Sequence, residues 1–441
     1  MKTALNLLLL SFLLTAAAAC SDSSSGNGGA GGTAGVGGAG GQAGMGGEGG
    51  TGGIGPKGNC HSSVPVLLSE WNLFADIRHQ VPAEDVLPYT VTSPLFTDYA
   101  LKFRFLTLRE GGTLPYTNDT TRWDGPVGTI YAKTFAYPPN TQDPESDGLD
   151  QLIETRLLVH VAAEDDRLDC GGADSCWQVH VYVYDQDMED AVCESGGAAV
   201  SIEFTNPATD EQEFVPDYGV PSNGACRRCH GVEVRSLGPS TGMFNRGNDY
   251  GDEDVENQID QLYALGMLAP EPGPADGRVT YPDPVALTEL CQDPICFHEA
   301  ARAWFDTNCA HCHAPDGEAD GTGIYLDWAS MDPEDPTDAE FKSWGVCKVP
   351  TSAGGVKDCN DASQDIVPGE PDNSIMLCRI NSVTPGEMMG PIGRTLVDSD
   401  GFEIIKAWIE ILPVLFPDIP MCSETGAGGM GGAGGMGGAG I

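Results

Sequence analysis

Two pentapeptides constrain this chain more than anything else in it: Cys226-Arg-Arg-Cys-His230 and Cys309-Ala-His-Cys-His313. Each reads Cys-x-x-Cys-His, the spacing for covalent attachment of a c-type haem. Two cysteines three apart can each form a thioether with a porphyrin vinyl group, and the adjacent histidine is placed to offer its imidazole to iron. From the chain's own composition, a chance match is expected in roughly one such chain in a hundred. Two matches together therefore predict two covalently attached haem c groups. Cys226, Cys229, Cys309 and Cys312 are the expected anchors, and His230 and His313 the expected proximal ligands.

The rival metal readings fit less well. Zinc ribbons separate their Cys-x-x-Cys pairs by about 15–20 residues, whereas these pairs are about eighty apart. A thioredoxin-like dithiol needs a βαβ surrounding, and neither motif has one. The acidic stretches at residues 143–150, 316–321 and 398–401 lack EF-hand spacing and read as solvated turns. Arg227 and Arg228 read as a solvated pair, with a partner's acidic patch or a haem propionate as their alternative use, and His311 as an exposed variable position of the second motif.

The chain has 441 residues, enough for two or three domains. Residues 1–19 form a secretory signal: Lys2, then an apolar run too short for a stable membrane span. Small residues directly before Cys20 resemble the lipobox of bacterial lipoproteins, in which that cysteine carries lipid. Ala17 stands where leucine is usual, and ordinary cleavage near Ala19 is the alternative. Residues 20–58 are Gly-rich and without aromatics, which predicts a disordered tether reaching roughly 35 Å. Residues 423–441 form a second Gly-rich tail without collagen periodicity. The expected address is the periplasm or outer membrane, with membrane contact by the lipid anchor only. A net charge of −43 disfavours nucleic acid and favours cationic partners.

Fifteen cysteines, less Cys20 and the four motif cysteines, leave ten. An even remainder in an exported chain predicts disulfides. Cys170–Cys176, Cys291–Cys296 and Cys347–Cys359 are the local pairings expected, and Cys60 with Cys422 is expected to tie the ends of the ordered region.

Residues 59–220 carry a β pattern. Leu101-Lys-Phe-Arg-Phe-Leu-Thr-Leu108 alternates apolar and polar residues, and residues 152–161 and 177–184 are further strand-like runs. The expectation is an antiparallel, sandwich-like β domain followed by mainly α haem domains, an α+β multidomain chain. His160 and His180 lie in these strands and read as packed residues. Residues 221–285 form the first haem segment, with a helix expected over residues 254–268. Residues 286–422 have the order of a class I cytochrome c domain. A helix over residues 298–308 leads into Cys309, and a terminal helix carries Phe402, Ile405, Trp408, Ile409 and Leu412. Ser399 or Asp400 is its expected cap and Pro413 its expected end.

Methionine supplies the distal ligand of a class I domain from the loop before the final helix. Glu387-Met-Met-Gly-Pro-Ile-Gly-Arg394 lies there, with Met389 the first choice and Met388 the second; the thioether raises the reduction potential. For the first iron the candidates are Met243, Met267 or a histidine of the β region. A five-coordinate iron open to a small ligand is the remaining option. No catalytic residue is assigned.

Several stretches resemble a family of uncharacterised bacterial exported c-type cytochromes with an N-terminal β-rich region and a C-terminal cytochrome c domain. They include Leu68-Ser-Glu-Trp-Asn-Leu-Phe74, Ser93-Pro-Leu-Phe-Thr-Asp-Tyr-Ala100, Glu154-Thr-Arg-Leu-Leu158, Ala225-Cys-Arg-Arg-Cys-His230, Ala301-Arg-Ala-Trp-Phe-Asp-Thr-Asn-Cys-Ala-His-Cys-His313, Asp365-Ile-Val-Pro-Gly369 and Gly393-Arg-Thr-Leu-Val397. The chain departs from that pattern at Gly390, which separates Met389 from Pro391. The resemblance implies haem binding but no particular reaction. The expected role is single-electron transfer with redox protein partners of the cell envelope. The alternatives are a dihaem peroxidase-like oxidoreductase with an open first iron and a binding module with structural haems.

Overall fold

The computed structural model describes residues 60–422 apart from 62, 110, 144–145, 164–169, 171–172, 207–209, 232, 251–254, 283–293, 333, 352–358 and 360–361. The signal segment, Cys20, both Gly-rich ends, Asp254 and Cys291 lie outside the described residues. Alternating, β-branched-rich segments build one antiparallel meander of six strands: β1 (Leu87–Tyr89), β2 (Leu101–Leu108), β3 (Thr129–Tyr137), β4 (Gln151–Ala162), β5 (Ser175–Tyr184) and β6 (Ala191–Cys193), in that order. Successive side chains alternate between the faces. One face packs Phe105, Ala132, Leu157 and Tyr182 onto Leu68, Leu73 and Ile77. The other carries Tyr131, Leu106 and Trp177 at one end and Phe135 and Val181 at the other.

The fold is α+β with mainly antiparallel sheets. Among the described residues no second large sheet completes a sandwich. In its place a two-stranded hairpin, β7 (Ala198–Thr205) and β8 (Gln212–Val220), packs Ile202, Phe204, Val215 and Tyr218 onto Phe135 and Val181. Seven helical segments follow, of which the first four share cores with that face and the last three pack on the fourth in a core of their own. They are α1 (Asn223–His230), α2 (Thr241–Phe244), α3 (Gln258–Ala264), α4 (Pro294–Asn308), α5 (Asp338–Ser343), α6 (Ile375–Asn381) and α7 (Ser399–Leu415). One core joins Leu106, Tyr131 and Trp177 of the sheet to Met243, Phe244 and Ile259, and to Ala303 of α4. Packing thus crosses both expected boundaries, at 220/221 and at 285/286. Among the described residues no helix is long and apolar enough to cross a membrane.

Three local expectations are corrected. The helix expected over residues 254–268 is only α3: Val255–Asn257 is a strand, the Asn257 side chain accepts from the Ile259 amide as N-cap, and Gly266 follows at φ +70°. Ile259 and Leu262 are buried, while Val255, Tyr263 and Leu265 are exposed. The cap of α7 is Asp398, which accepts from the Gly401 amide, rather than Ser399 or Asp400. Pro413 does not end α7. A proline frees the carbonyl four residues earlier, and the Gly369 amide donates to that Ile409 carbonyl at 2.9 Å, so the helix runs on to Leu415.

Four disulfides join described cysteines: Cys60–Cys193, Cys170–Cys176, Cys347–Cys422 and Cys359–Cys378. Cys170–Cys176 is as expected. Cys347 does not pair with Cys359, nor Cys60 with Cys422. The segment after Cys60 runs beside β6, where the Cys193 amide donates to the Val66 carbonyl. The chain after α7 returns past Cys347, whose disulfide sulfur lies 3.3 Å from the Pro420 carbonyl oxygen. Cys296 is disulfide-bonded, and the expected partner Cys291 lies outside the described residues.

Candidate functional site

The first pentapeptide ends helix α1. Ser222 caps that helix by accepting from the Ala225 amide, and Gly231 leaves it at φ +84°. The second follows α4 directly, with the Cys312 and His313 amides both donating to the Cys309 carbonyl. Helix α4 is fixed against α7: the Trp304 indole donates to Asp398 at 2.9 Å, and Gly401 lets the indole approach where a Cβ would collide with it.

Cys226–His230 and Cys309–Cys312 line one cavity of about 1560 Å³, whereas His313 is not on its wall; the volume is above the usual 300–1,000 Å³ of a single small-molecule site. The Cys229 and Cys312 thiols are within hydrogen-bonding reach of each other. The Cys312 thiol lies 3.7 Å from the Arg228 carbonyl; Arg227 and Arg228 are both exposed, and Arg228 reaches the exposed Glu318 at 3.6 Å. Among the described residues the free cysteines are Cys226, Cys229, Cys309 and Cys312. Burial pushes the Cys226 and Cys309 thiols up; Cys312 is raised by its hydrogen bond with Cys229 and by burial, while that bond lowers Cys229. Reactive dithiols depend on a lowered thiol pKa, which here only Cys229 has.

The histidines are oriented by their own chain. His230 Nδ1 lies 2.8 Å from the Arg235 carbonyl oxygen, which only an N–H satisfies, so Nε2 keeps its lone pair. His313 has Thr322 Oγ1 3.5 Å from Nδ1 and a hydrogen bond to the Ile324 backbone. Burial holds both imidazoles neutral, with pKa values lowered to about 4. His311 is half-buried rather than exposed and hydrogen-bonds Cys312.

Met389 lines the cavity; Met388 is buried away from its wall. The loop is pinned by Arg394, whose guanidinium donates to the carbonyls of Met389, Ile380 and Ser382. Met243 also lines the cavity, but its sulfur accepts from Arg122 at 3.4 Å. Met267 packs in the core around Leu114 and Leu268. His160 uses both ring nitrogens, on the Gly125 carbonyl at 2.7 Å and the Ser175 hydroxyl at 3.1 Å, and stacks on Trp177. His180 pairs across from Leu157, on the face that packs against Leu68 and Leu73, and stacks on Trp71; it also lines the cavity, and its Nε2 has no partner among the described residues.

Sequence reasoning missed the contribution of the sheet. Its cavity face presents Arg104, Lys133 and Arg156. The signal was present in the polar positions of Leu101–Leu108 and Gln151–Ala162, which alternation alone assigns to solvent. Among the described residues no three His, Cys, Asp or Glu side chains converge as a metal cluster; a haem iron needs only axial ligands from the chain. The His230 imidazole, the four free thiols and the basic side chains on one cavity wall fit a covalently held, carboxylate-bearing porphyrin, while His313 lies off that wall. Comparison with family models, with curated proteins and with solved structures gives no match.

Proposed function

We propose that this chain is a dihaem c-type cytochrome of the bacterial cell envelope that passes single electrons between protein partners. One observation carries the reading: the four free cysteines among the described residues are those of the two pentapeptides, and all four line one cavity. Haem bound there supplies a one-electron iron couple. Cys226 and Cys229 anchor one group through thioethers, and Cys309 and Cys312 the other. His230 and His313 present neutral imidazoles whose orientation is set by Arg235 and by Thr322 with Ile324. Met389, on the cavity wall, is the distal ligand proposed for the second group, its soft sulfur favouring ferrous iron. The reach between Cys229 and Cys312 supports electron exchange between the two centres within one chain.

The crossing of α4 and α7, with α4 feeding into Cys309, supports reading residues 286–422 as a class I cytochrome c-like domain and the chain as a member of the family it resembles. Four disulfides among the described residues support an oxidising compartment. Export and a lipid anchor at Cys20 belong to the same proposal.

One second reading has a specific observation behind it. Arg122 engages the Met243 sulfur and both nitrogens of His160 are taken, so neither offers a free distal ligand to the first centre. An open iron there would bind a small oxidant, as in a dihaem peroxidase. The binding-module alternative gains nothing from the sheet, whose faces are spent on cores and cavity.

A reduced-minus-oxidised spectrum of the protein matured with c-type haem machinery, repeated under carbon monoxide, tests these readings. Two covalent low-spin haems indifferent to carbon monoxide support the carrier. One haem that shifts supports the open iron. No covalent haem overturns both.

A further inference from the structure

Arg104, Lys133 and Arg156 are consecutive cross-strand partners on β2, β3 and β4, and all three line the shared cavity. Neighbouring strands lie about 4.8 Å apart, so three cations stand in one row. Like charges directly opposite destabilise a sheet. The chain has 22 Lys and Arg against 65 Asp and Glu, so composition does not account for a cationic row facing inward.

The row is under-neutralised from within. Glu154, on the same face of β4, takes two hydrogen bonds from Arg156 at 2.9 and 2.6 Å and one from Tyr218 at 2.8 Å. Among the described residues Arg104 donates only to the Lys102 carbonyl, at 3.1 Å, and has no carboxylate partner. The Lys133 side chain makes no hydrogen bond or ion pair there; its nitrogen stands 5.6 Å from the centre of the Phe135 ring, and burial with Arg104 and Arg156 lowers its pKa to about 7. Lys102, also on this face, donates to the Ala100 carbonyl, and burial together with Arg104, Lys133 and Arg156 pushes its pKa well below the ordinary lysine value. Both Lys133 and Arg156 are close enough to Cys226 and Cys229 to couple electrostatically with them. Three half-buried basic groups that share one carboxylate, Glu154, therefore sit beside the first pentapeptide.

We propose that Arg104, Lys133 and Arg156 form the seat for the two propionate carboxylates of the haem anchored on Cys226 and Cys229. The inference rests on the dihaem reading above. Carboxylates delivered on a covalently tethered group arrive at high effective concentration and form charge-assisted pairs with guanidinium and ammonium groups. A free small oxyanion is the other source of the same chemistry. In the holoprotein, Lys133 then helps set the potential of that haem, because a nearby cation favours the reduced iron.

The test uses the full chain carrying both haems, with Lys133→Met, Arg104→Met and Lys133→Arg variants. Methionine keeps length and burial without charge, and arginine restores the charge. Intact mass and the pyridine haemochrome spectrum count covalent haems in every sample. The expected result is a lower midpoint potential for one haem in Lys133→Met and Arg104→Met, recovery in Lys133→Arg, and altered propionate bending bands in resonance Raman. Added sulfate or nitrate should leave the wild-type spectrum unmoved. Two haems with unshifted potential and unchanged bands would overturn this inference while leaving the dihaem reading intact. A wild-type spectrum that titrates with added anion, with the response lost in Lys133→Met, would assign the row to a free oxyanion instead. Wild-type protein with no covalent haem would remove both.

Discussion

The indole N–H of Trp408 donates to Nδ1 of His298 at 3.0 Å, joining α7 to α4 inside the core behind the second pentapeptide. On its other side His298 Nε2–H donates to the Met331 carbonyl at 3.0 Å. The ring is fully buried and flanked by Trp344 and Phe416, with Arg302 and Asp332 as the nearest charges. Only the neutral tautomer satisfies both bonds, since a second ring proton would point at the indole N–H.

Burial lowers the pKa of His298 to about 4 from an ordinary 6.5. The unfolded chain therefore binds this proton first, and stability present above about pH 6.5 is lost as pH falls towards about 4, by about 3 kcal/mol. His180, lowered to about 4 by burial as well, titrates in the same window. Chemical unfolding from about pH 7 to about pH 4 should show a shallower loss in His298→Gln than in wild type, because glutamine can accept and donate on the same two sides. Parallel curves for the two proteins would sink the assignment.

Asp98 ties residues far apart in sequence. Its carboxylate accepts from the Thr395 amide and hydroxyl at 2.7 and 2.9 Å and from the Leu396 amide at 2.8 Å. Asp98→Ala strands two half-buried amides, an expected loss of about 3 kcal/mol in denaturant unfolding. Since residues 395–396 follow the loop pinned by Arg394, amide hydrogen exchange around Met389 should also quicken. Unchanged exchange there would confine Asp98 to a local role.

How much of this was legible in the sequence follows from the range of each interaction. Strand patterning marked residues 101–108 and 177–184, within strands that run over Leu101–Leu108 and Ser175–Tyr184, and the Cys-x-x-Cys-His spacing marked the expected anchors, because both signals are local. Asp98 gave no hint of Thr395, nor Cys60 of Cys193, since chain topology alone brings them together. Polar strand positions read as solvent-facing, so the row Arg104, Lys133 and Arg156 went unnoticed until α1 and α4 were seen to cover that face. The continuation of α7 through Pro413 depends on a donor from Gly369, which lies far earlier in the chain and reaches the Ile409 carbonyl.

The disulfides should rank by the loop each closes. Cys60–Cys193 spans 133 residues and Cys359–Cys378 spans 19. On the chain-entropy account, paired alanine replacement costs about 5 kcal/mol for the first and about 3 kcal/mol for the second. Guanidinium unfolding of the two double variants decides it. A reversed order would show that native packing around Cys359, rather than loop closure, dominates.

The methionine loop gives the sharpest separation of neighbouring residues. Met389 faces the cavity, whereas Met388 is turned into the protein. If Met389 is the distal ligand, Met389→Ala leaves the second iron one ligand short. That haem should become sensitive to carbon monoxide, and its potential should fall because a sulfur that favours ferrous iron is gone. Met388→Ala should cost about 2–3 kcal/mol of stability as a cavity while leaving the spectrum and the potential in place. Carbon monoxide difference spectra and a redox titration of both variants separate the two methionines. A response from Met388→Ala alone would exchange their roles, and a response from neither would require that the second iron draw its distal ligand from elsewhere on the cavity wall.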